Sequence, residues 1–227
     1  MRYLFFFLVS SLFFTCNTTE QVVPTGGESF SYLALGDSYT IGESVSEVER
    51  YPNQLADSLS KRSVFLDPVD IVARTGWTTD ELDAGINDRT DLKATYDLVS
   101  LLIGVNNQYR GRPVDEYEEE FRALLQRAID FAGGDKERVF VISIPDYAYT
   151  PFGNGNNTIS EGIDAFNAVN ESVTASYGIS YFNITPISRE GLAQPDLVAN
   201  DGLHPSGAQY AGWVSTFVEN VKEKLEN

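Results

Sequence analysis

Short apolar runs of strand length alternate with longer segments of helical period along most of this chain. That alternation restricts the fold more than any other feature. The runs are SYLAL (31–35), VDIVA (69–73), LVSLLI (98–103), VFVISI (139–144) and ISYFNI (179–184). Nearly continuous runs such as LVSLLI suit strands buried on both faces, as in a parallel sheet. Between the runs, Tyr117, Phe121, Leu124, Leu125 and Ala128 recur at three- and four-residue steps ahead of Gly133 and Gly134. Ile163, Phe166, Val169, Val173 and Tyr177 do the same before Gly178, and Ala211, Val214, Phe217, Val218, Val221 and Leu225 mark a last helix. Such stripes are core faces, ended by glycine where the chain must turn. Further helices are expected near 48–61 and 79–93. Five strands alternating with helices predict an α/β fold, a doubly wound three-layer α/β/α sandwich. In such sheets the ligand lies beyond the carboxyl ends of the strands. The loops after Leu35, Ala73, Ile103, Ile144 and Ile184 are therefore the places where chemistry is expected.

A chain of 227 residues, 42% of them apolar, reads as one domain with a sizeable core. Its net charge of −17 argues against nucleic acid, whose phosphates need clustered Lys and Arg, and against electrostatic docking on anionic membranes. The acidity reads as a solvated surface.

Arg2 is followed by YLFFFLVSSLFF (3–14), an uncharged apolar run too short for a membrane span of about 20 residues. A positive residue followed by such a run is the shape of a secretory signal, here residues 1–15. Cys16, the only cysteine, follows at once. The arrangement resembles a bacterial lipoprotein signal, in which that cysteine is lipidated. Phe13 and Phe14 depart from the small-residue pattern of such signals; the alternative is an ordinary signal cut a few residues later. The lipoprotein reading places the protein in the cell envelope, at the membrane only through its lipid. Residues 16–29, polar with Pro24, Gly26 and Gly27, suit a flexible tether, and 30–227 form the domain.

Four short blocks fall at or near the expected loops: GDSY (36–39), RTGW (74–77), GVNN (104–107) and DGLHP (201–205). Each alone has a plain reading. Gly76 suits a left-handed turn, Asn106 a loop cap, and Asp201 with Gly202 a turn. His204 is the only histidine in the chain.

Taken together and in this order, the blocks resemble those of the SGNH hydrolases, or GDSL-type esterases and lipases, over residues 31 to about 220. The resemblance implies a flavodoxin-like five-stranded parallel sheet. It implies Ser38 as nucleophile, Asp201 and His204 as orienter and base, and an oxyanion hole from Ser38, Gly76 and Asn106. The third block departs from the family's Gly-x-Asn-Asp, because Asn107 stands where the aspartate is usual. The chemistry is coherent from the residues. A serine hydroxyl needs a base to take its proton, His204 is the one imidazole available, and Asp201 can fix its tautomer. Backbone N–H groups of Ser38 and Gly76 and the Asn106 amide would supply preorganised oxyanion donors.

The G-x-S-x-G elbow is not matched, since Thr40 occupies its fifth position. No metal-ligand cluster, phosphate-cradling loop or G-x-G-x-x-G motif is present, so no cofactor is expected. Tyr39, Tyr109, Arg110, Asp146 and Tyr147 lie just past strand ends and are candidates for a substrate pocket. The expected function is hydrolysis of carboxylic esters through an acyl-serine, on carbohydrate acetyl esters or short-chain or lipid acyl esters. The alternative is a non-catalytic glycan-binding protein on the same fold.

Overall fold

The computed structural model describes residues 29–227; the expected signal, Cys16 and nearly all of the tether lie outside them. Five parallel strands, β1 (Ser29–Gly36), β2 (Phe65–Ala73), β3 (Leu98–Leu102), β4 (Val139–Ile142) and β5 (Ser180–Phe182), form one sheet in the order β2-β1-β3-β4-β5. This is the doubly wound order expected from the resemblance. β3 and β4 are buried at every position, which is why they read as unbroken apolar runs.

β2 starts four residues earlier than its apolar run. It is an edge strand whose first half carries the exposed Asp67, next to Pro68, and an edge position tolerates both. Its pairing with β1 shifts register between Phe30 and Tyr32.

The helices are α1 (Ser38–Ile41), α2 (Tyr51–Ser60), α3 (Thr79–Asn87), α4 (Val105–Tyr109), α5 (Val114–Phe131), α6 (Asn157–Tyr177), α7 (Thr185–Ser188) and α8 (Gly207–Glu226). Right-handed crossovers put α2, which steps from β1 outward to β2, on one face and α3, α5 and α6, which step the other way, on the opposite face. The packing agrees: α2 lies on α8, while α5 lies on both α3 and α6. α3 ends at Asn87, short of the expected 93, through a C-cap at Asp88. One continuous core runs through both layers, with Tyr32, Tyr51, Tyr117, Tyr210 and Trp213 among its largest buried side chains.

Reversing the direction of strand addition between β1 and β3 opens a crevice at their carboxyl ends. The chain leaves β1 into α1 and β3 into α4 at that crevice.

Candidate active site

β1 ends in Gly36, where a Cβ would run into the Thr40 side chain and the carbonyl of Leu102 on β3. Glycine therefore lets the ends of β1 and β3 meet. Asp37 then caps α1, its Oδ1 accepting the Tyr39 N–H at 3.0 Å. Ser38 is the first residue of α1, so its N–H has no acceptor inside the helix.

Asp201 and His204 come from one turn. Asp201 Oδ2 meets His204 Nδ1 at 2.6 Å, and Oδ1 accepts the N–H groups of Leu203 and His204 at 2.9 and 3.0 Å. A hydroxyl from outside the turn also donates to Oδ2, that of Ser44, at 2.8 Å. Burial acts to raise the Asp201 carboxyl, but the bonds from the His204 ring, the two N–H groups and Ser44 outweigh it. The net effect holds the group well below the usual carboxylate range, so Asp201 is ionised at any ordinary pH. An anionic partner at Nδ1 fixes the proton there and leaves Nε2 as the basic nitrogen.

Gly76 adopts a left-handed backbone at φ 87°, as its turn requires. Among the described residues its N–H meets no acceptor. The Arg110 guanidinium lies over this turn, donating to the Gly76 carbonyl at 2.6 Å and pairing with Glu81. The Asn106 amide sits between two acceptors: Nδ2 donates to the Trp77 carbonyl at 3.0 Å and to Asp37 Oδ2 at 3.2 Å. Burial pushes the Asp37 carboxyl up to about 7, against the pull of the Tyr39 and Asn106 donors.

Ser38, Asn106 and His204 line one cavity of about 190 Å³, together with Tyr39, Val105, Tyr109, Tyr147, Phe152 and Leu203. Tyr39 packs against His204, ring centroids 5.2 Å apart. Burial, with the nearby Asp37, raises the Tyr39 hydroxyl well above its ordinary range, so a neutral phenol faces the imidazole. Tyr109, Tyr147 and Phe152 form a triangle of rings 6.1–6.2 Å apart. The structure thus brings Ser38, Asn106, His204, Tyr39, Tyr109 and Tyr147 to one cavity, with Asp201 behind His204. Gly76 is not part of the cavity lining, but a serine with a free backbone N–H and a carboxylate-backed imidazole in one crevice are equipped for acyl transfer.

The sequence matches the model of the GDSL-like Lipase/Acylhydrolase family over residues 34–211, a span that includes all four blocks. The chain belongs to this family. It is an ester-bond hydrolase. Among solved structures it is similar to TesA, with 18% identity, a TM-score of 0.67, and 86% of this chain and 99% of that chain covered. It is also similar to a lipase/acylhydrolase from Enterococcus faecalis, with 20% identity, a TM-score of 0.67, and 85% and 95% covered. A third is the acetylxylan esterase Axe2 from Geobacillus stearothermophilus, with 19% identity, a TM-score of 0.63, and 86% and 95% covered. At such identities the likeness speaks to the fold. Among curated proteins, none matches the sequence significantly.

Within this GDSL-like hydrolase the departure at Asn107 has a structural answer. Asn107 is fully buried, accepts the Thr79 N–H through Oδ1 at 3.1 Å and donates through Nδ2 to Thr79 Oγ1 at 2.6 Å. The Thr79 hydroxyl, occupied as an acceptor by the amide, donates its own hydrogen bond to Glu120. Asn107 thus braces α4 against the start of α3, in a chain of bonds that ends on the Glu120 carboxylate.

Two pocket candidates stand elsewhere. Asp146 is fully buried, caps the turn at Tyr147–Tyr149 by accepting the Ala148 N–H, and pairs with Arg189 at 2.9 Å; it does not line the cavity. Its place just past a strand end suggests a residue facing ligand, but its carboxylate is consumed by a cap and an ion pair. Arg110 lies over Gly76 rather than in the cavity lining. Val105, Phe152 and Leu203, none of them a candidate from the sequence, also line the cavity. Val105 and Leu203 were adjacent to the motif residues, and that adjacency was the available signal. Phe152, in a loop, had none.

Proposed function

We propose that this hydrolase works through an acyl-serine intermediate on Ser38 and takes esters with an apolar acyl group. His204 Nε2 removes the Ser38 proton as Oγ attacks the ester carbonyl, giving a tetrahedral oxyanion. The N–H groups of Ser38 and Gly76 and the Asn106 amide receive that oxyanion. His204 returns the proton to the departing alkoxide, which leaves as alcohol. Water, deprotonated by the same imidazole, then attacks the acyl-serine and releases the carboxylic acid. Asp201 stays ionised throughout and stabilises the imidazolium. The observation that carries this reading is that Ser38, Asn106 and His204 share one cavity while Asp201 engages the far nitrogen of the imidazole.

The acyl assignment rests on the cavity wall. Apart from Ser38, Asn106, His204 and tyrosine hydroxyls, its lining is Val105, Phe152, Leu203 and the aromatic rings. The Tyr147 hydroxyl is already spent on Gln108 Oε1 at 2.8 Å. A sugar buried there would leave hydroxyls without partners, each costing about 1–3 kcal/mol, whereas each buried methylene gains about 0.8 kcal/mol.

One observation favours a second reading, an acetylated carbohydrate whose ring stacks outside the cavity. Tyr109 and Phe152 are 59% and 53% exposed at its mouth, as an aromatic platform for a sugar would be, and Axe2 is an acetylxylan esterase. A panel of p-nitrophenyl esters from acetate to decanoate beside acetylated sugars decides between the two. Labelling of Ser38 by a phosphonate probe, absent in S38A, tests the acyl-serine itself. Turnover in S38A at the wild-type rate would sink it.

The localisation reading is an envelope lipoprotein anchored through Cys16. Its support is Arg2, the apolar run and the position of Cys16. C16S should release the protein from membranes. A mature N-terminus that begins beyond residue 16 without lipid would refute the anchor.

A further inference from the structure

Ser44 lies on the segment that leaves α1, outside all four sequence blocks, and its backbone is left-handed at φ 66°. Serine seldom holds that conformation; glycine and asparagine do so more readily. Its hydroxyl donates to Asp201 Oδ2 at 2.8 Å, across 157 positions of sequence. The Asp201 carboxylate therefore accepts four hydrogen bonds: the Leu203 and His204 N–H groups on Oδ1, and His204 Nδ1 and Ser44 on Oδ2. Four is about the capacity of a carboxylate. Three come from within the turn that carries Asp201, and Ser44 supplies the one that does not. The residue before it, Glu43, accepts a hydrogen bond from the hydroxyl of Thr75, the neighbour of Gly76.

We propose that Ser44 is a positioning residue for the Asp201–His204 pair, joining the nucleophile's own helix to the carboxylate that aims the imidazole. The proposal rests on the acyl-serine reading above. The carboxyl torsion of an aspartate is broad when left to itself. With Oδ2 held by Ser44, the oxygen that meets Nδ1 is fixed relative to α1, and so relative to Ser38. The hydroxyl also shares the negative charge of Oδ2 with the imidazole. Ser44 does not line the cavity, so it acts on the rate through Asp201 and leaves substrate binding alone. A strained residue at such a place is a frequent mark of function.

The test compares S44G and S44N with wild type, using the full chain. S44G removes the hydroxyl while accepting the left-handed backbone, and S44N offers an amide donor from a residue type at ease there. S44G should unfold close to the wild-type temperature, lose about tenfold in kcat and keep KM within about twofold, the pattern of a lost bond to a charged group that matters in the transition state. S44N should recover most of kcat. The Nδ1 proton of the protein's one imidazole, followed by NMR, should shift in S44G and return toward its wild-type position in S44N. Wild-type kcat in S44G overturns the proposal. So does a loss of kcat that tracks a lowered unfolding temperature while the Nδ1 resonance stays put. If the wild-type enzyme turns over no ester, the acyl-serine reading fails instead, and the NMR comparison alone then decides whether Ser44 positions the pair.

Discussion

Asn106 Nδ2 rests 3.2 Å from Asp37 Oδ2, so the residue next to the candidate nucleophile holds the candidate oxyanion donor in place. The Trp77 carbonyl takes the other hydrogen of the same amide. The donor is fixed before substrate arrives, which is what electrostatic preorganisation requires. It must share or surrender one of these bonds as the oxyanion forms, and the longer one, to Asp37, is the one to go.

Replacing Asn106 by Ala should therefore act on the transition state. We expect kcat to fall by about 10²–10³ with KM nearly unchanged, the usual loss for one oxyanion donor. Steady-state kinetics on the best ester of the panel measures it. A rise in KM alone would assign Asn106 to ground-state binding.

Asp37 makes stability depend on pH. Its carboxyl stands at about 7 in the fold against 3.8 as its ordinary value, because burial penalises the charge. Between those two values the folded protein binds more protons than the unfolded chain, so stability falls as pH rises. This contribution is complete below about pH 4 and lost above about pH 7, on the order of 2–4 kcal/mol in all. D37N is neutral at every pH. In urea unfolding from pH 4 to 8, the wild type should lose stability relative to D37N; a gap that does not change with pH would mean that Asp37 is ionised throughout.

Asp201→Asn keeps the size of the side chain and removes its charge. The new amide hydrogens would confront His204 Nδ1 and the Ser44 hydroxyl, where the carboxylate now accepts. The imidazole is then driven to the wrong tautomer, and kcat should drop by about 10³–10⁴. A thermal melt alongside the kinetics separates this from unfolding. Turnover within tenfold of wild type would remove Asp201 from its assigned role.

Phe152→Ala tests the cavity wall. The ring is half-exposed and packs at a tilt against Tyr109 and Tyr147, while the Phe152 backbone N–H is held by the Gly202 carbonyl at 2.9 Å. The turn should survive the truncation. For an octanoate ester kcat/KM should fall about tenfold, with acetate little affected, since each lost apolar contact costs in proportion to the chain that used it. An equal fall for both would place Phe152 outside the acyl path.

The parts of this molecule that could be read from the sequence are those where one physical demand dominates. β3 and β4 are buried on both sides and show it in every residue, and Gly178 ends α6 in a left-handed cap as expected. β2 was only half legible, because an edge strand answers to solvent as well as to the core. α3 is shorter than its sequence suggests, since Asp88 stops it without glycine or proline. Ser38 and Asn106 sit in short blocks at the ends of β1 and β3, and His204 in one just ahead of α8, so the cavity they share is the part of the candidate site that short blocks make legible. Ser44 and Asp37 could not be assigned their contacts, because those depend on loops 157 and 69 positions away meeting in space. Asp146 misled for the same reason: its partner Arg189 is 43 positions distant.

The all-parallel sheet gives the molecule two unlike poles. β1 enters at Ser29, runs 8 residues to Gly36 over roughly 26 Å of extended strand and delivers Ser38 just beyond its far end. α8 starts beside the His204 turn and returns, so that Lys224 pairs with Glu137, just ahead of β4. Both ends of the described chain therefore emerge at the pole opposite the cavity mouth. A resin, a fused partner or an anchoring surface attached at either end would leave the mouth unobstructed and turned outward.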